Sequence, residues 1–386
     1  MGTWAKLADK RAPTRDLSSE RVGCGHGSFP AEDSMITLEE QGQSKLGGDH
    51  RPKTAVGAKG QENYGRRAAE LPIKIPDMLP AREILEGENI FVMSEERAFH
   101  QDIRPLHIVI LNLMPIKQTA ETQLLRLLGN TPLQVDIVFL RMKTHESKNT
   151  SSQHLTAFYQ TVEQIAGRYF DGMVITGAPI EHLPFEAIGY WREFQEIMDW
   201  RQTHVTSTLY VCWAALAGLY HHFGVPKYVV KDKIFGVFAH RIETAAKLVR
   251  GFDDRFWVPH SRYAGVRVED LVRVPEIDVI ASSDAAGVYL AATRDGRQVF
   301  VTGHPEYELY TLAEEYRRDQ ARGMDPRLPQ NYFPGDEPTA RPRQTWRAHA
   351  HLLFANWLNY YVYQETPFDL ESGLGLRAES HLTESP

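Results

Sequence analysis

The sequence has only two cysteines among its 386 residues, Cys24 and Cys212, so it offers no disulfide framework and is typical of a reducing compartment. No apolar run approaches the roughly 20 residues that a membrane-spanning helix requires. The formal net charge of −7 disfavours nucleic acid or an anionic membrane as a partner. There is no repeat of fixed period and no P-loop motif for nucleotide phosphates. We therefore expect a cytoplasmic protein.

Metal-binding patterns are also absent from the sequence. No set of Cys and His residues has the spacing of a zinc site. His221 and His222 are adjacent, and we expect them on different sides of a helix, where they would make a poor chelate. The sequence therefore predicts no bound metal.

The first 70 residues differ in composition from the rest of the chain. They contain 10 of the 28 glycines but only three aromatic residues, Trp4, Phe29 and Tyr64. Such a segment cannot bury enough apolar surface to offset the entropy lost on ordering. We therefore expect residues 1–70 to be a disordered extension, residues 71–370 to form one folded domain, and residues 371–386 to be a polar tail.

Strand-like and helix-like segments alternate along the folded part. The predicted strands cover residues 106–113, 134–140, 172–176 and 206–211, and the predicted helices cover residues 121–128, 155–169, 190–203 and 213–223. This alternation predicts an α/β fold, with a parallel sheet and helices on both faces. Ligands of such sheets bind at the carboxyl ends of the strands, so Asn112, Thr176 and Cys212 should lie together.

The later part of the chain predicts shorter strands, some of them antiparallel. They cover residues 234–238, 266–268, 278–281 and 288–292, followed by a buried strand over residues 298–302 and helices over residues 311–322 and 345–361. We expect these strands to extend the same sheet.

Cys212 lies where a buried strand is expected to turn into a helix. Residues 206–211 are apolar or β-branched, whereas residues 213–223 are largely small and apolar and are followed by Gly224 as a C-cap. A side chain at this turn lies at the helix N-terminus, where free N–H groups favour negative charge. The thiol should therefore lose its proton more easily and act as a nucleophile. A cysteine that only packs in the core is the alternative interpretation.

A candidate base and a candidate orienting carboxylate follow farther along the chain. His304 and Glu306 stand at the end of the strand over residues 298–302, and Pro305 favours an extended backbone at His304. This spacing lets both side chains point the same way, so the carboxylate can hold the imidazole. Together with Cys212 they supply the nucleophile, base and orienting group of covalent catalysis. A turn histidine beside a solvated glutamate is the alternative interpretation of this segment.

The chain resembles the homoserine O-acyltransferases of methionine biosynthesis, which have a class I glutamine-amidotransferase-like fold. The resemblance rests on the order Cys212, His304, Glu306 and on several longer segments. They include residues 108–115 (Ile-Val-Ile-Leu-Asn-Leu-Met-Pro), 170–179 (Phe-Asp-Gly-Met-Val-Ile-Thr-Gly-Ala-Pro), 259–263 (Pro-His-Ser-Arg-Tyr), 301–306 (Val-Thr-Gly-His-Pro-Glu) and 356–363 (Asn-Trp-Leu-Asn-Tyr-Tyr-Val-Tyr). The resemblance covers residues 71–370 and implies a flavodoxin-like three-layer sandwich.

The resemblance also implies a two-step reaction through an acyl-cysteine. Cys212 would accept the acyl group of acyl-CoA, and His304 would activate the hydroxyl of homoserine, giving ping-pong kinetics. The implied homoserine contacts are Lys233, Ser261 and Arg318. We expect the backbone N–H groups of Trp213 and Met114 to form the oxyanion hole. The relatives look like homodimers that use L-homoserine and acyl-CoA as substrates, with no bound cofactor.

Glu181 sets the expected acyl donor. Relatives that use succinyl-CoA carry Gly at the matching position, whereas relatives that use acetyl-CoA carry Glu. A carboxylate there would fill the pocket and repel the second carboxylate of a succinyl group. We therefore expect acetyl-CoA to be the donor, with a succinyl-CoA-using enzyme as the alternative and a surface-exposed loop glutamate as the plainer interpretation of Glu181. Leu216 and Ala239 replace a Gln and a Glu that many relatives carry. The resemblance therefore does not define every residue that lines the site.

Two further functions compete with acyl transfer on this fold. A glutamine amidotransferase-like hydrolase would release ammonia from glutamine, but Tyr210 and Ala214 replace the glycines that flank the nucleophile of that family. A non-catalytic binding protein would keep the fold and would form no acyl adduct on Cys212.

Overall fold

The computed structural model describes residues 73–76, 78–88, 92–93, 105–145, 147 and 149–367. The predicted disordered extension over residues 1–70 and the predicted polar tail over residues 371–386 lie outside the described residues. None of the helices within these ranges combines the length and the apolar character needed to cross a bilayer.

A single sheet runs through the described part of the domain. Its strands are β1 (Ile73–Lys74), β2 (Val92–Met93), β3 (Leu106–Leu111), β4 (Val135–Leu140), β5 (Tyr159–Gln160), β6 (Phe170–Ile175), β7 (Val205–Val211), β8 (Tyr228–Ile242), β9 (Arg255–Gly265), β10 (Ile277–Ser283), β11 (Gly287–Thr293) and β12 (Gln298–Val301). The spatial order is β2-β1-β4-β3-β6-β7-β12-β11-β10-β8-β9, with β5 beside β4.

The helices connect these strands and cover the sheet. They are α1 (Ala81–Gly87), α2 (Lys117–Leu128), α3 (Ser152–Phe158), α4 (Val162–Ile165), α5 (Trp191–His204), α6 (Trp213–Phe223), α7 (Val268–Leu271), α8 (Thr311–Ala321) and α9 (Arg347–Trp357). Short 3₁₀ turns cover Phe185–Ala187, Lys247–Val249 and Pro334–Asp336, and a π-helical segment, Leu358–Tyr363, continues α9.

The sheet is parallel over its first half and antiparallel over its second half. The pairs β3–β4, β3–β6, β6–β7 and β7–β12 are parallel, whereas β11–β12, β10–β11, β8–β10 and β8–β9 are antiparallel. This confirms the predicted α/β fold with a mostly parallel sheet and later antiparallel strands. Because β7 and β12 are parallel neighbours, their carboxyl ends meet at one edge, and Val211 lies opposite Val301.

Two hydrophobic cores lie on the two faces of the sheet. Successive residues of a strand point to opposite faces, and β3 shows this clearly. Ile108 and Ile110 pack in a core with α2 and α9. Val109 and Leu111 pack in another core with α5 and α6. The domain is therefore a three-layer sandwich, as predicted.

The structure corrects the predicted helix over residues 155–169. Only Ser152–Phe158 and Val162–Ile165 are helical, and the short strand Tyr159–Gln160 separates them. Tyr159 has an extended backbone, with φ of −114° and ψ of 138°, and pairs with Phe139 of β4. Pairing with the sheet and burial of this ring override the local helical periodicity.

The strand predicted over residues 266–268 is also wrong, because β9 ends at Gly265 and α7 begins at Val268. The sequence pattern did not predict β9 itself. Pro259 lies inside this strand, and proline normally argues against a strand because it cannot donate to the ladder. β9 is the edge strand of the sheet, where a proline is tolerated.

Candidate active site

Cys212 stands at a sharp turn between β7 and α6, where the sequence predicted it. Its φ of 51° and ψ of −114° form a conformation that residues with a side chain rarely adopt. The surrounding hydrogen bonds hold this strained geometry: the Cys212 N–H donates to the Val301 carbonyl at 2.6 Å, and its carbonyl accepts from Ala215 N–H at 3.0 Å. The strain therefore presents the thiol at the carboxyl edge of the sheet, at the start of a helix.

The structure brings the thiol, the imidazole and the carboxylate together. The Cys212 side chain lies close enough to His304 to act electrostatically on its imidazole. On the other side of the ring, His304 Nδ1 lies 2.7 Å from Glu306 Oε1. His304 is 3% exposed, and the Glu306 side chain is 10% exposed. The arrangement has the geometry that a nucleophile, a base and an orienting group require.

Electrostatics favour a charged imidazole in this cleft. Burial by itself lowers the pKa of His304, but the negative charges of Cys212 and Glu306 outweigh burial and raise the pKa well above its usual value. The imidazolium form of His304 is therefore favoured beside the Cys212 side chain.

Gly177 leaves room beside the reactive groups. A Cβ at this position would lie 3.1 Å from the Cys212 Cβ and 3.7 Å from His304 Cε1. Because glycine has no side chain, the cleft stays open next to both groups. The sequence pattern alone could have suggested this position, since Gly177 directly follows the predicted strand end at Thr176.

The predicted cluster of strand ends is present. The Leu113 N–H donates to Thr176 Oγ1 at 2.7 Å, which ties the end of β3 to the end of β6. The Met114 N–H donates to Asn112 Oδ1 at 3.1 Å, so this predicted oxyanion donor already has a partner. The Trp213 N–H is the first of helix α6, and such N–H groups have no partner within their own helix. The oxyanion roles of both groups stay predictions.

A polar network that the sequence analysis did not foresee extends from the imidazole. The Tyr307 ring stacks on His304, with centroids 4.2 Å apart and planes inclined by 18°. Its hydroxyl donates to Glu315 Oε1 at 2.7 Å. The other oxygen of Glu315 accepts hydrogen bonds from Lys233 Nζ, at 3.2 Å, and from Ser261 Oγ. Two of the implied homoserine contacts therefore meet at one carboxylate next to the cleft.

Arg318, the third implied homoserine contact, lies on the same helix, α8, as Glu315. Its Nε donates to Asp319 Oδ1 at 2.9 Å, and its side chain is 48% exposed. Asp319 Oδ2 also lies 3.7 Å from Lys233 Nζ. The structure thus places all three implied contacts along α8, and their roles stay predictions.

Glu181 is half-buried and is not a freely solvated loop residue. Its Oε1 accepts the Tyr263 N–H at 3.2 Å, and its carbonyl accepts a hydrogen bond from Lys227 Nζ at 2.9 Å. Burial lowers the pKa of Arg262 to about 10, while the charges of Cys212 and Glu181 oppose this shift. Both acidic groups therefore lie within electrostatic reach of the same buried guanidinium.

A buried polar cluster supports the end of β3. Glu121, which is 0% exposed, accepts a hydrogen bond from the Tyr159 hydroxyl at 2.6 Å, and Asn112 Nδ2 donates to that hydroxyl at 2.8 Å. Lys117 Nζ donates to the Asn112 carbonyl at 2.5 Å, and burial lowers the pKa of Lys117 to about 8. The sequence signal for this cluster was a glutamate on the apolar face of a predicted helix.

The structure corrects the argument that His221 and His222 lie on different sides of a helix. Their nitrogens and a carboxylate oxygen of Asp199 lie within 4.8 Å of one another. However, Arg201 Nη2 lies 3.5 Å from His222 Nε2, and a guanidinium beside the ring repels a cation. The prediction of no bound metal therefore stays a prediction.

Comparison with known proteins identifies the family to which this chain belongs. The model of the homoserine O-succinyltransferase family matches residues 72–368, and the chain belongs to that family. A homoserine O-acetyltransferase of Brevibacillus brevis is 61% identical over 303 residues, which cover 78% of this chain and 99% of the relative. Homoserine O-acetyltransferases of a Geobacillus species and of Acetivibrio thermocellus are each 60% identical, over 78% of this chain and 100% and 99% of their own lengths.

Solved structures resemble the chain more distantly. A glutamine amidotransferase from Thermotoga maritima has a TM-score of 0.45 and 12% identity, and the match covers 68% of this chain and 100% of that one. A glutamine amidotransferase from Methylobacillus flagellatus has a TM-score of 0.40 and 10% identity, over 67% of this chain and 95% of that one. These TM-scores are too low to support an argument about function.

Proposed function

We propose that this protein is a homoserine O-acetyltransferase, which transfers the acetyl group of acetyl-CoA to the hydroxyl of L-homoserine. The proposal rests on the grouping of Cys212, the buried His304 and Glu306 in a chain about 60% identical to relatives with that name. The product would be O-acetyl-L-homoserine, for methionine biosynthesis.

The first half-reaction acylates the enzyme. The Cys212 thiolate attacks the thioester carbonyl of acetyl-CoA, and the developing oxyanion is stabilised by N–H groups at the start of α6 and near the end of β3. When the tetrahedral intermediate collapses, the bond to the CoA sulfur breaks. The imidazolium of His304 gives its proton to that sulfur, so CoA leaves as a thiol and His304 becomes neutral.

The second half-reaction transfers the acetyl group. Neutral His304 takes the hydroxyl proton of homoserine as the alkoxide attacks the acetyl-cysteine. Collapse of the second intermediate forms the ester and expels the Cys212 thiolate. The imidazolium remains beside it, so the resting pair is restored. Glu306 holds the ring in the tautomer that this exchange requires, because its carboxylate accepts the Nδ1–H.

The network along α8 suits the charged groups of homoserine. The exposed guanidinium of Arg318 can bind the carboxylate of the substrate through two hydrogen bonds. Lys233 and Ser261 donate hydrogen bonds to the Glu315 carboxylate. Glu315 also accepts from Tyr307, which stacks on His304, and Asp319 contacts both Lys233 and Arg318. We infer that homoserine binds along this path, with its hydroxyl directed toward His304.

The position of Glu181 favours acetyl over succinyl transfer. Its carboxylate is held by the Tyr263 N–H and faces the same guanidinium as the thiol of Cys212, so a second substrate carboxylate would meet a like charge in a half-buried site. We expect Glu181→Gly to raise succinyl-CoA turnover relative to acetyl-CoA turnover. An unchanged ratio of the two donors would show that this glutamate does not select the donor.

The proposal is tested by measuring CoA release from acetyl-CoA and from succinyl-CoA, each with and without homoserine. We expect rapid turnover with acetyl-CoA and homoserine, and an acetyl adduct on Cys212 by mass spectrometry when homoserine is omitted. Cys212→Ser is the control that should lose the thioester adduct. Release of ammonia from glutamine without CoA turnover would favour the hydrolase, and a lack of both reactions would favour a binding protein.

Two further features belong to the same proposal. The two-cysteine composition and the family resemblance favour a cytoplasmic enzyme that works as a homodimer, without a bound cofactor. Size-exclusion chromatography with light scattering tests the oligomeric state.

A further inference from the structure

Two buried histidines lie beneath the segment that carries His304. His240 is on β8 and His260 is on the neighbouring edge strand β9, and they are 1% and 0% exposed. Their rings stack, with centroids 5.1 Å apart and planes inclined by 17°. Buried imidazoles of this kind must place every ring nitrogen in a hydrogen bond, because an unpaired buried polar atom is unfavourable.

The protons of the two rings can be assigned from their partners. Arg262 Nε lies 3.2 Å from His260 Nδ1, and a guanidinium can only donate, so this nitrogen must accept. His260 therefore carries its proton on Nε2, which lies 3.2 Å from His240 Nε2 and donates to it. His240 then carries its proton on Nδ1 and donates to the Phe238 carbonyl at 2.9 Å. All four nitrogens are satisfied only if both rings are neutral and each has this one tautomer.

The hydrogen-bonded pair His240 and His260 lies directly against the segment that carries His304. A Cβ on Gly303 would lie 3.0 Å from His260 Cε1 and 3.1 Å from its Nε2, so the backbone of Gly303 rests against that ring. The next residue is anchored to the same strand, because the His304 N–H donates to the Pro259 carbonyl at 2.9 Å. A change in the tilt of the His260 ring would therefore move the backbone from which the catalytic imidazole projects.

We propose that His240 and His260 are positioning residues for the His304 imidazole, acting as a neutral relay of hydrogen bonds from Arg262 to the Phe238 carbonyl. The inference rests on the proposed function, since it assigns His304 the catalytic role. Arg262 is fixed at its other end by the Ala264 carbonyl, which accepts from Nη1 at 2.6 Å, and by the Ala286 carbonyl. The relay thus starts from an immobile donor and has only one possible direction.

The charges around the relay keep it neutral. Burial lowers the pKa of His240 to about 4 and the pKa of His260 well below its usual value, and the guanidinium of Arg262 adds to both effects. His304 also lowers the pKa of His260. The imidazolium that the reaction needs can therefore form at His304, whereas the rings below it stay uncharged.

The direct test is the tautomer of each ring. Protein labelled with ¹⁵N-histidine would be examined by long-range ¹H–¹⁵N NMR at pH 7.5, and His240→Gln and His260→Gln would assign the two signals among the 16 histidines. We expect His260 as the Nε2–H tautomer and His240 as the Nδ1–H tautomer. The opposite tautomer at either ring, or an imidazolium, would overturn the proposal. This readout uses no substrate, so it can fail or succeed independently of the proposed function.

The functional test compares two replacements at residue 240. Gln can present an oxygen near the former Nε2 and still accept from His260, whereas His240→Leu leaves that buried donor without an acceptor. Because small misplacements of a catalytic group are costly, we expect about a tenfold or larger fall in kcat for His240→Leu and recovery of most of it by His240→Gln. Both are assayed well below their unfolding temperatures. Equal kcat values for the two variants would show that the relay has only a structural role. If the leucine variant does not fold, the tautomers measured in the wild-type protein decide whether the proposal holds.

Discussion

Glu306 is the member of the proposed catalytic triad whose contribution can be worked out from its geometry. Its Oε1 lies 2.7 Å from His304 Nδ1, and both side chains are at least nine-tenths buried. Replacing the carboxylate by the amide of Glu306→Gln keeps the shape and an acceptor but removes the charge. A buried hydrogen bond to a charged group contributes about 1.5–3 kcal/mol, against about 1 kcal/mol for a neutral one. The imidazolium should therefore lose about 1–2 kcal/mol of stabilisation.

This loss has two measurable consequences. Weaker stabilisation of the imidazolium should lower the pKa of His304, so the ring loses its proton at a lower pH than in the wild type. The rate of acetylation of Cys212 should fall by about 5- to 30-fold. The first is measured by NMR titration of the ring, and the second by stopped-flow detection of CoA released from acetyl-CoA without homoserine.

The matched control is Glu308→Gln, which removes a carboxylate two residues away that pairs with Arg126 at 2.9 Å and does not contact His304. It should leave both the titration and the acetylation rate close to those of the wild type. If Glu306→Gln titrates and reacts like the wild type, the carboxylate does not stabilise the charged ring and the reasoning is refuted.

Two glycine replacements and one pH dependence test the surroundings of the site. Gly177→Ala adds a Cβ 3.1 Å from that of Cys212, so alkylation of the thiol by iodoacetamide should slow; an unchanged rate would show that the cleft has spare room. Gly303→Ala puts a Cβ 2.7 Å from Val258 Cγ1 and should cost about 1–3 kcal/mol in urea unfolding, and a stability equal to that of the wild type contradicts this. The pKa of His240 is lowered to about 4 in the fold from an unfolded value near 6.5, so its contribution to stability is complete above pH 6.5 and is lost as the pH falls toward 4. Between pH 7.5 and pH 5 this amounts to about 2 kcal/mol, which His240→Gln should abolish; a variant with the same acid sensitivity as the wild type would place the effect elsewhere.

Local patterns were enough to predict most of the parallel half of the sheet. Alternation of apolar strands with amphipathic helices depends on neighbours in sequence, and the strands β3, β4, β6 and β7 were all found within about two residues of their expected bounds. The turn at Cys212 was predictable for the same reason, because a buried strand that runs into a helix without a linker leaves one residue at the join.

The antiparallel half was predicted less well. β8 and β9 are 15 and 11 residues long, but the sequence showed only a short strand over residues 234–238 and none at β9. Pro259 concealed the second strand, and only the position of β9 at the edge of the sheet makes that proline acceptable. Likewise, the strand at Tyr159 forms because β4 is beside it, which no local period reveals.

Residues close together in the chain were enough to predict the fold class, a cysteine at the strand–helix turn and the position of His304-Pro305-Glu306 at a strand end. Tertiary contacts were needed to show that Tyr307 stacks on the imidazole and leads to Glu315, and that the paired rings of His240 and His260 lie against the backbone of Gly303. The reason is physical: these contacts join strands and helices far apart in sequence, and their geometry follows from the order and register of the sheet, which local patterns leave undefined.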